Sequence, residues 1–241
     1  TGEFAHNPEP LPAHLKDLSE AVVREGAHLG ISVDPDVDRL ALVCEDGTFF
    51  GEEYTLVSVA DYVLSKKVGP TVSNLSSSRA LRDVTEKYGA SYSAAAVGEV
   101  NVTTQMKRVG AVIGGEGNGG VIVPDLHYGR DALIGVALFL SLLAERGEKV
   151  SQIRDSLPAY AISKNKIELS DSELISKVLD AVKEAFASEK VTDIDGVKID
   201  FEKEKMWVHL RRSNTEPIIR VYSEASDMEK AENIAQKVIS I

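Results

Sequence analysis

The stretch Leu29-Gly30-Ile31-Ser32-Val33-Asp34-Pro35-Asp36-Val37-Asp38-Arg39-Leu40-Ala41-Leu42-Val43-Cys44 decides how the rest of the chain is read. Its two ends, 29–33 and 40–44, are short apolar runs of strand length. Between them three carboxylates alternate. In an extended loop, period-two geometry sends Asp34, Asp36 and Asp38 to one side. Three hard oxygen donors at one point suit Mg²⁺, which takes octahedral oxygen ligands and often shares its site with a phosphate. A calcium-binding loop does not fit: Arg39 stands at the sixth position, where that loop needs glycine, and the flanks read as strands instead of helices. An acidic turn between two strands accounts for the same residues without a ligand.

The 241-residue chain is long enough for about two ordinary domains. With 43% apolar and 27% charged residues it can bury cores and does not read as disordered. The net charge of −11 argues against a nucleic-acid or anionic-membrane partner, so an anionic ligand needs a local basic cluster. One cysteine, Cys44, excludes an internal disulfide framework, and the expected location is cytoplasmic. Neither a membrane-spanning run nor a signal peptide is visible. The first residues are Thr1-Gly2, without a methionine, which suggests a piece of a longer protein.

Outward from the acidic loop, Pro8, Pro10 and Pro12 make an irregular arm, and a helix pattern covers 14–26. A helix before a lone strand pair looks like the tail of an α/β domain. Helices are expected at 52–67, 79–88 after a Ser76-Ser77-Ser78 cap, 101–108 capped by Asn101, and 131–146; strands are expected at 71–75, 92–97 and 111–113. This alternation describes a complete α/β domain with a mixed sheet. After Leu157-Pro158 come a strand at 160–169, a helix at 172–187, strands at 197–201, 206–210 and 217–223, and a helix at 227–239. That rhythm describes a small α+β domain with an antiparallel sheet and two helices.

Two further stretches carry chemistry. Gly114-Gly115-Glu116-Gly117-Asn118-Gly119-Gly120 follows a strand and has the spacing of neither a dinucleotide fingerprint nor a P-loop. It presents one carboxylate, Glu116, among glycines, which suits hydrogen bonds to adjacent hydroxyls; a solvent turn is the alternative. Arg211-Arg212-Ser213-Asn214-Thr215-Glu216-Pro217, with Arg220 close behind, concentrates guanidinium forks, hydroxyls and an amide between two strands. This is the basic cluster an anionic ligand would need, and a phosphate fits it; an ordinary hairpin turn is the alternative. The five histidines show no metal-ligand spacing. His127-Tyr128-Gly129-Arg130 precedes the long helix and is placed to face the glycine stretch. Glu99 lies on a turn without a role that spacing reveals.

Taken in order, the three stretches resemble those of the α-D-phosphohexomutase family, the phosphoglucomutases, phosphomannomutases and phosphoglucosamine mutases. The family's D-x-D-x-D-R metal loop is matched by 34–39, its G-E-x-S/N-G sugar loop by 115–119, and its R-x-S-G/N-T-E-P phosphate loop by 211–217. The resemblance covers nearly the whole chain. It implies the end of a second domain in 1–44, a third domain in 45–156 and a fourth in 157–241. The phosphoserine domain would be absent, since Ala5 precedes His6-Asn7-Pro8 where a serine is needed. The resemblance further implies Mg²⁺ on Asp34, Asp36 and Asp38, and Arg39 beside the transferring group. Glu116 and Asn118 would lie on the sugar, and Arg211, Ser213, Asn214, Thr215 and Arg220 on its phosphate. The reaction would pass through a phosphoserine and a bisphosphorylated sugar, and this chain alone would be inactive. A sugar-phosphate-binding module without catalysis is the competing reading. Gly120 replaces a histidine, and Gly98-Glu99 replaces a Gly-His pair, that many bacterial relatives carry, which leaves glucose, mannose and glucosamine phosphates open. Homodimer formation is open too.

Overall fold

The computed structural model describes residues 2–4, 6–168, 172–213 and 218–241, with the backbone alone for Ser172 and Glu173. Of the loop at 211–217, Asn214 and Thr215, both expected on a phosphate, lie outside the described residues, as do Ala5, Glu216 and Pro217. Two compact units emerge, Thr1–Pro158 and Ala159–Ile241.

In the first unit a 3₁₀ turn, Pro12–His14, replaces the start of the expected first helix, because Pro12 restricts the backbone there. Helix α1 (Lys16–Glu25) ends at Gly26 in the left-handed region, a glycine C-cap. Strands β1 (Leu29–Val33) and β2 (Leu40–Cys44) pair antiparallel, Val33 opposite Leu40, across the acidic loop. All of β2 is buried, whereas Ile31 and Val33 of β1 are exposed.

Next come α2 (Glu52–Lys66), β3 (Thr71–Asn74), α3 (Ala80–Lys87), β4 (Tyr92–Ala95), α4 (Glu99–Val109), β5 (Ile113–Glu116), β6 (Gly120–Ile122), α5 (Ala132–Arg146) and α6 (Val150–Asp155). The sheet order is β4-β3-β5-β6, with β3 parallel to β4 and β5, and β6 antiparallel to β5. This is the mixed sheet expected. Helix α4 closes one core with Val72, Ala95, Val102, Met106 and Ile122. Helix α2 packs on β5 and β6 and also touches β2, while Phe50 and Phe139 of α5 meet edge to face at 5.2 Å.

One local expectation holds and three differ. Ser78 Oγ accepts from the amide of Ala80 at 3.1 Å, so the serine cap acts at the entry to α3. Helix α4 begins before Asn101, at Glu99 behind Gly98, whose φ of 118° a side chain would resist; Asn101 instead donates to the Val97 carbonyl. The glycine stretch is a strand–turn–strand hairpin instead of a loop. Helix α6 escaped the sequence reading because six residues hold under two turns of period.

The second unit contains β7 (Ala161–Glu168), α7 (Ser172–Ala185), β8 (Lys190–Thr192), β9 (Val197–Phe201), β10 (Met206–Arg212), β11 (Ile218–Ala225) and α8 (Met228–Ile239). Its sheet order is β7-β11-β10-β9-β8, antiparallel throughout. Val208, Leu210, Ile219 and Val221 alternate toward one face and form the core with α7 and α8. Asp227 caps α8 by accepting from the Lys230 amide at 2.9 Å. The α+β expectation holds, with β8 as an added short edge strand. Among the described residues no helix is long and apolar enough to cross a membrane.

Candidate functional site

The loop between β1 and β2 is folded, not extended. Val37 adopts φ 58° and its amide donates to the Asp34 carbonyl at 3.1 Å. That turn, not strand alternation, brings ligand oxygens of Asp34, Asp36 and Asp38 within 4.8 Å of one another. Asp34 is buried. Its Oδ1 accepts from the amides of Asp38 and Arg39, both at 3.0 Å, and its Oδ2 accepts from Arg39 Nε at 2.6 Å. Burial alone would raise the Asp34 pKa, but these donors, Arg39 foremost, bring it down to about 2. Asp38 moves the other way, raised by burial and by the neighbouring Asp34. A carboxylate the protein holds ionised, next to one it makes costly to ionise, is an arrangement that an added cation relieves. Asp38 Oδ1 is buried without a hydrogen-bond partner among the described residues. Arg39 Nε stands 3.8 Å from that oxygen, and hard oxygen donors with a carboxylate oxygen left without a hydrogen bond fit a divalent cation.

The glycine hairpin is stitched to this loop. The Leu40 amide donates to the Gly119 carbonyl at 3.0 Å, and the Ala132 amide to the Val37 carbonyl at 3.0 Å. Pairing of Glu116 with Gly120 leaves a three-residue turn, 117–119, with Gly119 at φ 87°. Asn118 Oδ1 accepts from the Gly120 amide at 3.2 Å and so braces the turn. Ser77 Oγ accepts from the Gly117 amide at 2.9 Å, which gives the serine run a supporting part.

Glu116 is not presented on a bare loop. It ends β5 and is buried, because the hairpin register turns it inward. Oε1 accepts from Asn74 Nδ2 at 2.8 Å and from the Gly98 amide at 3.1 Å; Oε2 accepts from Arg130 Nη1 at 2.7 Å. Arg130 also pairs through Nη2 with Asp38 Oδ2, and its backbone amide donates to Glu99 Oε1 at 2.9 Å. The acidic-loop residue Asp38 and the hairpin residue Glu116 thus share one guanidinium. The sequence placed 127–130 near the glycines but did not single out Arg130 or find a partner for Glu99.

In the second unit, register sets Arg211 opposite Arg220, and Arg220 opposite Lys166 of β7. Side chains directly opposite in antiparallel strands lie about 5 Å apart at Cβ, and like charges so placed are destabilising. The three cations form a row across adjacent strands, on the face away from α7 and α8, with Lys166 Nζ paired to Glu168 Oε1 at 2.8 Å, and such a row suits an anion. Arg211 Nε approaches Asp195 Oδ2 at 3.4 Å yet has no hydrogen-bond partner among the described residues. Buried Ser213 continues from Arg212, its amide donating to the Ile218 carbonyl at 3.0 Å. Lys166 is the member of the row that sequence reading missed, because only strand register reveals it.

Three family models match the chain. Phosphoglucomutase/phosphomannomutase α/β/α domain II matches residues 1–47, α/β/α domain III residues 51–160, and the C-terminal domain residues 166–241. A phosphoglucomutase/phosphomannomutase from Thermococcus kodakarensis is 38% identical over 95% of this chain and 50% of its own length. A probable phosphoglucosamine mutase from Methanopyrus kandleri is 33% identical over 100% and 53%. A phosphoglucosamine/phosphogalactosamine mutase from Sulfurisphaera tokodaii is 32% identical over 98% and 53%. The chain therefore spans about half the length of the curated relatives it matches. A crystal structure of a family protein from Burkholderia thailandensis superposes with TM-score 0.82 at 26% identity, over 96% of this chain and 50% of the other.

Proposed function

Since the chain belongs to the phosphoglucomutase/phosphomannomutase family, the α-D-phosphohexomutases, we propose that it supplies the cation-, sugar- and phosphate-binding loops of a mutase that interconverts 1-phospho and 6-phospho hexoses. One observation carries the reading most directly: Asp34, Asp36 and Asp38 converge within 4.8 Å, with Asp38 Oδ1 lacking a hydrogen-bond partner among the described residues, next to the guanidinium that holds Glu116.

In this reading Asp34, Asp36 and Asp38 hold Mg²⁺. The ion, when bound, supplies positive charge to the oxygens of a transferring phosphoryl group. Arg39 keeps Asp34 ionised and in place, and its guanidinium adds a second cation at the edge of the loop. Glu116 has one Oε2 lone pair beyond those already engaged, which accepts a hexose hydroxyl. Asn118 turns its remaining amide donors to the same ring. Arg211, Ser213 and Arg220, with Asn214 and Thr215, hold the phosphate that is not reacting. Two sugar orientations, related by a flip, use the same set of groups, as a bisphosphorylated intermediate requires. The phosphoserine that exchanges the phosphoryl group lies in a part of the enzyme outside this sequence, so this chain alone binds and does not turn over. The relatives spanned only halfway keep the binding-module reading alive for the isolated chain.

Calorimetric titration with glucose 6-phosphate, mannose 6-phosphate and glucosamine 6-phosphate, with and without Mg²⁺, tests the proposal. One sugar phosphate is expected to bind, with at least tenfold weaker binding in Arg211→Ala, since a charge-assisted hydrogen bond contributes about 1.5–3 kcal/mol. Equal binding by the wild type and Arg211→Ala overturns the phosphate assignment. An absence of binding here, together with binding by the longer parent protein that Arg211→Ala leaves intact, overturns it as well.

A further inference from the structure

We propose that Arg130 is a positioning residue that couples the aspartate triad to Glu116, so that occupation of the cation site is felt at the sugar hairpin and the reverse. The inference rests on the reading just given of the triad as a cation site and of Glu116 as a sugar contact.

The geometry is that of one rigid fork between two sites. Arg130 Nη1 donates to Glu116 Oε2 at 2.7 Å, Nη2 pairs with Asp38 Oδ2, and Nε faces Glu99 Oε2 at 3.6 Å. The side chain is only 19% exposed, so these bonds are little screened by water. The two oxygens of Asp38 are divided: Oδ2 is on Arg130, while Oδ1 has no hydrogen-bond partner among the described residues and faces Arg39 Nε only at 3.8 Å. A cation therefore takes the oxygen that Arg130 leaves. Drawing charge toward Oδ1 weakens the pull of Oδ2 on Nη2, and because the guanidinium is planar, Nη1 and its bond to Glu116 respond in the same movement. Glu116 passes the change on to Asn74 Nδ2 and the Gly98 amide, both bonded to Oε1.

The backbone is shaped for this fork. Two anchors fix where the arginine starts: its amide on Glu99 Oε1, and the amide of the next residue, Asp131, on the Val121 carbonyl at 2.9 Å. Its aliphatic stem lies over Gly120, where an added Cβ would stand 2.4 Å from Arg130 Cδ. The missing side chain at 120 and the presence of Arg130 are two halves of one arrangement, and Glu99 completes it.

The test is Mg²⁺ titration of this chain followed by heteronuclear NMR. Carboxyl signals of Asp34, Asp36 and Asp38 report the cation site; the Asn74 side-chain amide and the Gly98 amide report the far side of Glu116. In the wild type both groups are expected to shift with one midpoint. In Arg130→Gln the triad still titrates, and the Mg²⁺-dependent shifts at Asn74 and Gly98 are lost or much reduced. Arg130→Lys keeps part of the response, since a single ammonium reaches one carboxylate well and two poorly. Gly120→Ala displaces the stem without removing a charge and is expected to behave as Arg130→Gln, which keeps the test open if the charge deletion fails to fold. Undiminished shifts at Asn74 and Gly98 in Gly120→Ala and Arg130→Gln overturn the coupling. So does a wild type in which the triad titrates and Asn74 and Gly98 stay still, with the cation reading intact. A triad silent to saturating Mg²⁺ overturns both readings together.

Discussion

Gly119 shows how much of the site is held by single residues. Its φ of 87° is a region that side chains avoid, and a Cβ there would stand 2.4 Å from the Leu40 carbonyl oxygen. The same residue accepts the Leu40 amide at 3.0 Å. Gly119→Ala is therefore expected to lower stability by about 1–3 kcal/mol, from backbone strain plus the displaced strand, as a lower urea midpoint with the slope unchanged. Legibility in the sequence differs residue by residue for a related reason. Asp34, Asp36, Asp38 and Glu116 could be picked out because carboxylates among apolar or glycine neighbours are conspicuous. Arg130 could not, since what makes it matter is its contact with Asp38, far away in the chain. Asn118 was read as facing a sugar, and the structure adds that its carbonyl oxygen is already engaged by the Gly120 amide.

Among the elements, the contrast between β1 and β2 has the clearest physical outcome. Strand β2 is buried at every position, between β1 and the contacts of α2 and α5, while β1 has β2 as its single partner strand among the described residues. The burial of β2 confines loose exchange within 1–44 to β1 and the arm before α1. Amides of 29–33 that do not face β2 are expected to exchange with solvent faster than those of 132–146, by at least tenfold. Equal protection in the two segments would contradict it. Periodicity found the long helices and the apolar strands, because side chains record which face is buried. It missed the hairpin at 113–122, because glycines carry no side chain to alternate, and it missed β8, whose three residues include exposed Lys190.

At the scale of the molecule, the second unit carries its own acid sensitivity. His209 is buried, its Nε2 sits 2.6 Å from the Asp195 carbonyl, and burial lowers its pKa from 6.5 to about 4. The folded state thus holds His209 neutral where the unfolded chain would bind a proton. Its contribution is complete above pH 6.5 and is lost as the pH falls from 6.5 toward 4, by about 3 kcal/mol in all. Trp207, the sole tryptophan, lies fully buried two residues away with Nε1 donating to Glu224 Oε1 at 2.7 Å. Its fluorescence therefore reports on the second unit alone. The denaturant midpoint followed at Trp207 is expected to fall between pH 6.5 and 4, and His209→Gln is expected to flatten that fall. An unchanged pH dependence in the variant would show that another group is responsible.

The hydrogen bond from Leu40 to Gly119 bears also on how such enzymes can be taken apart. The matched regions 1–47 and 51–160 suggest a seam near residue 49. Yet Phe50 at that seam is fully buried against Phe139, and the strand before it is sewn to the hairpin beyond. A chimera joined there would inherit the acidic loop from one parent and its mate, the glycine turn, from another. Grafting between relatives should move 16–158 as one cassette, since α1 packs on β1 and β2, with its splice points in the arm before α1 and after Pro158.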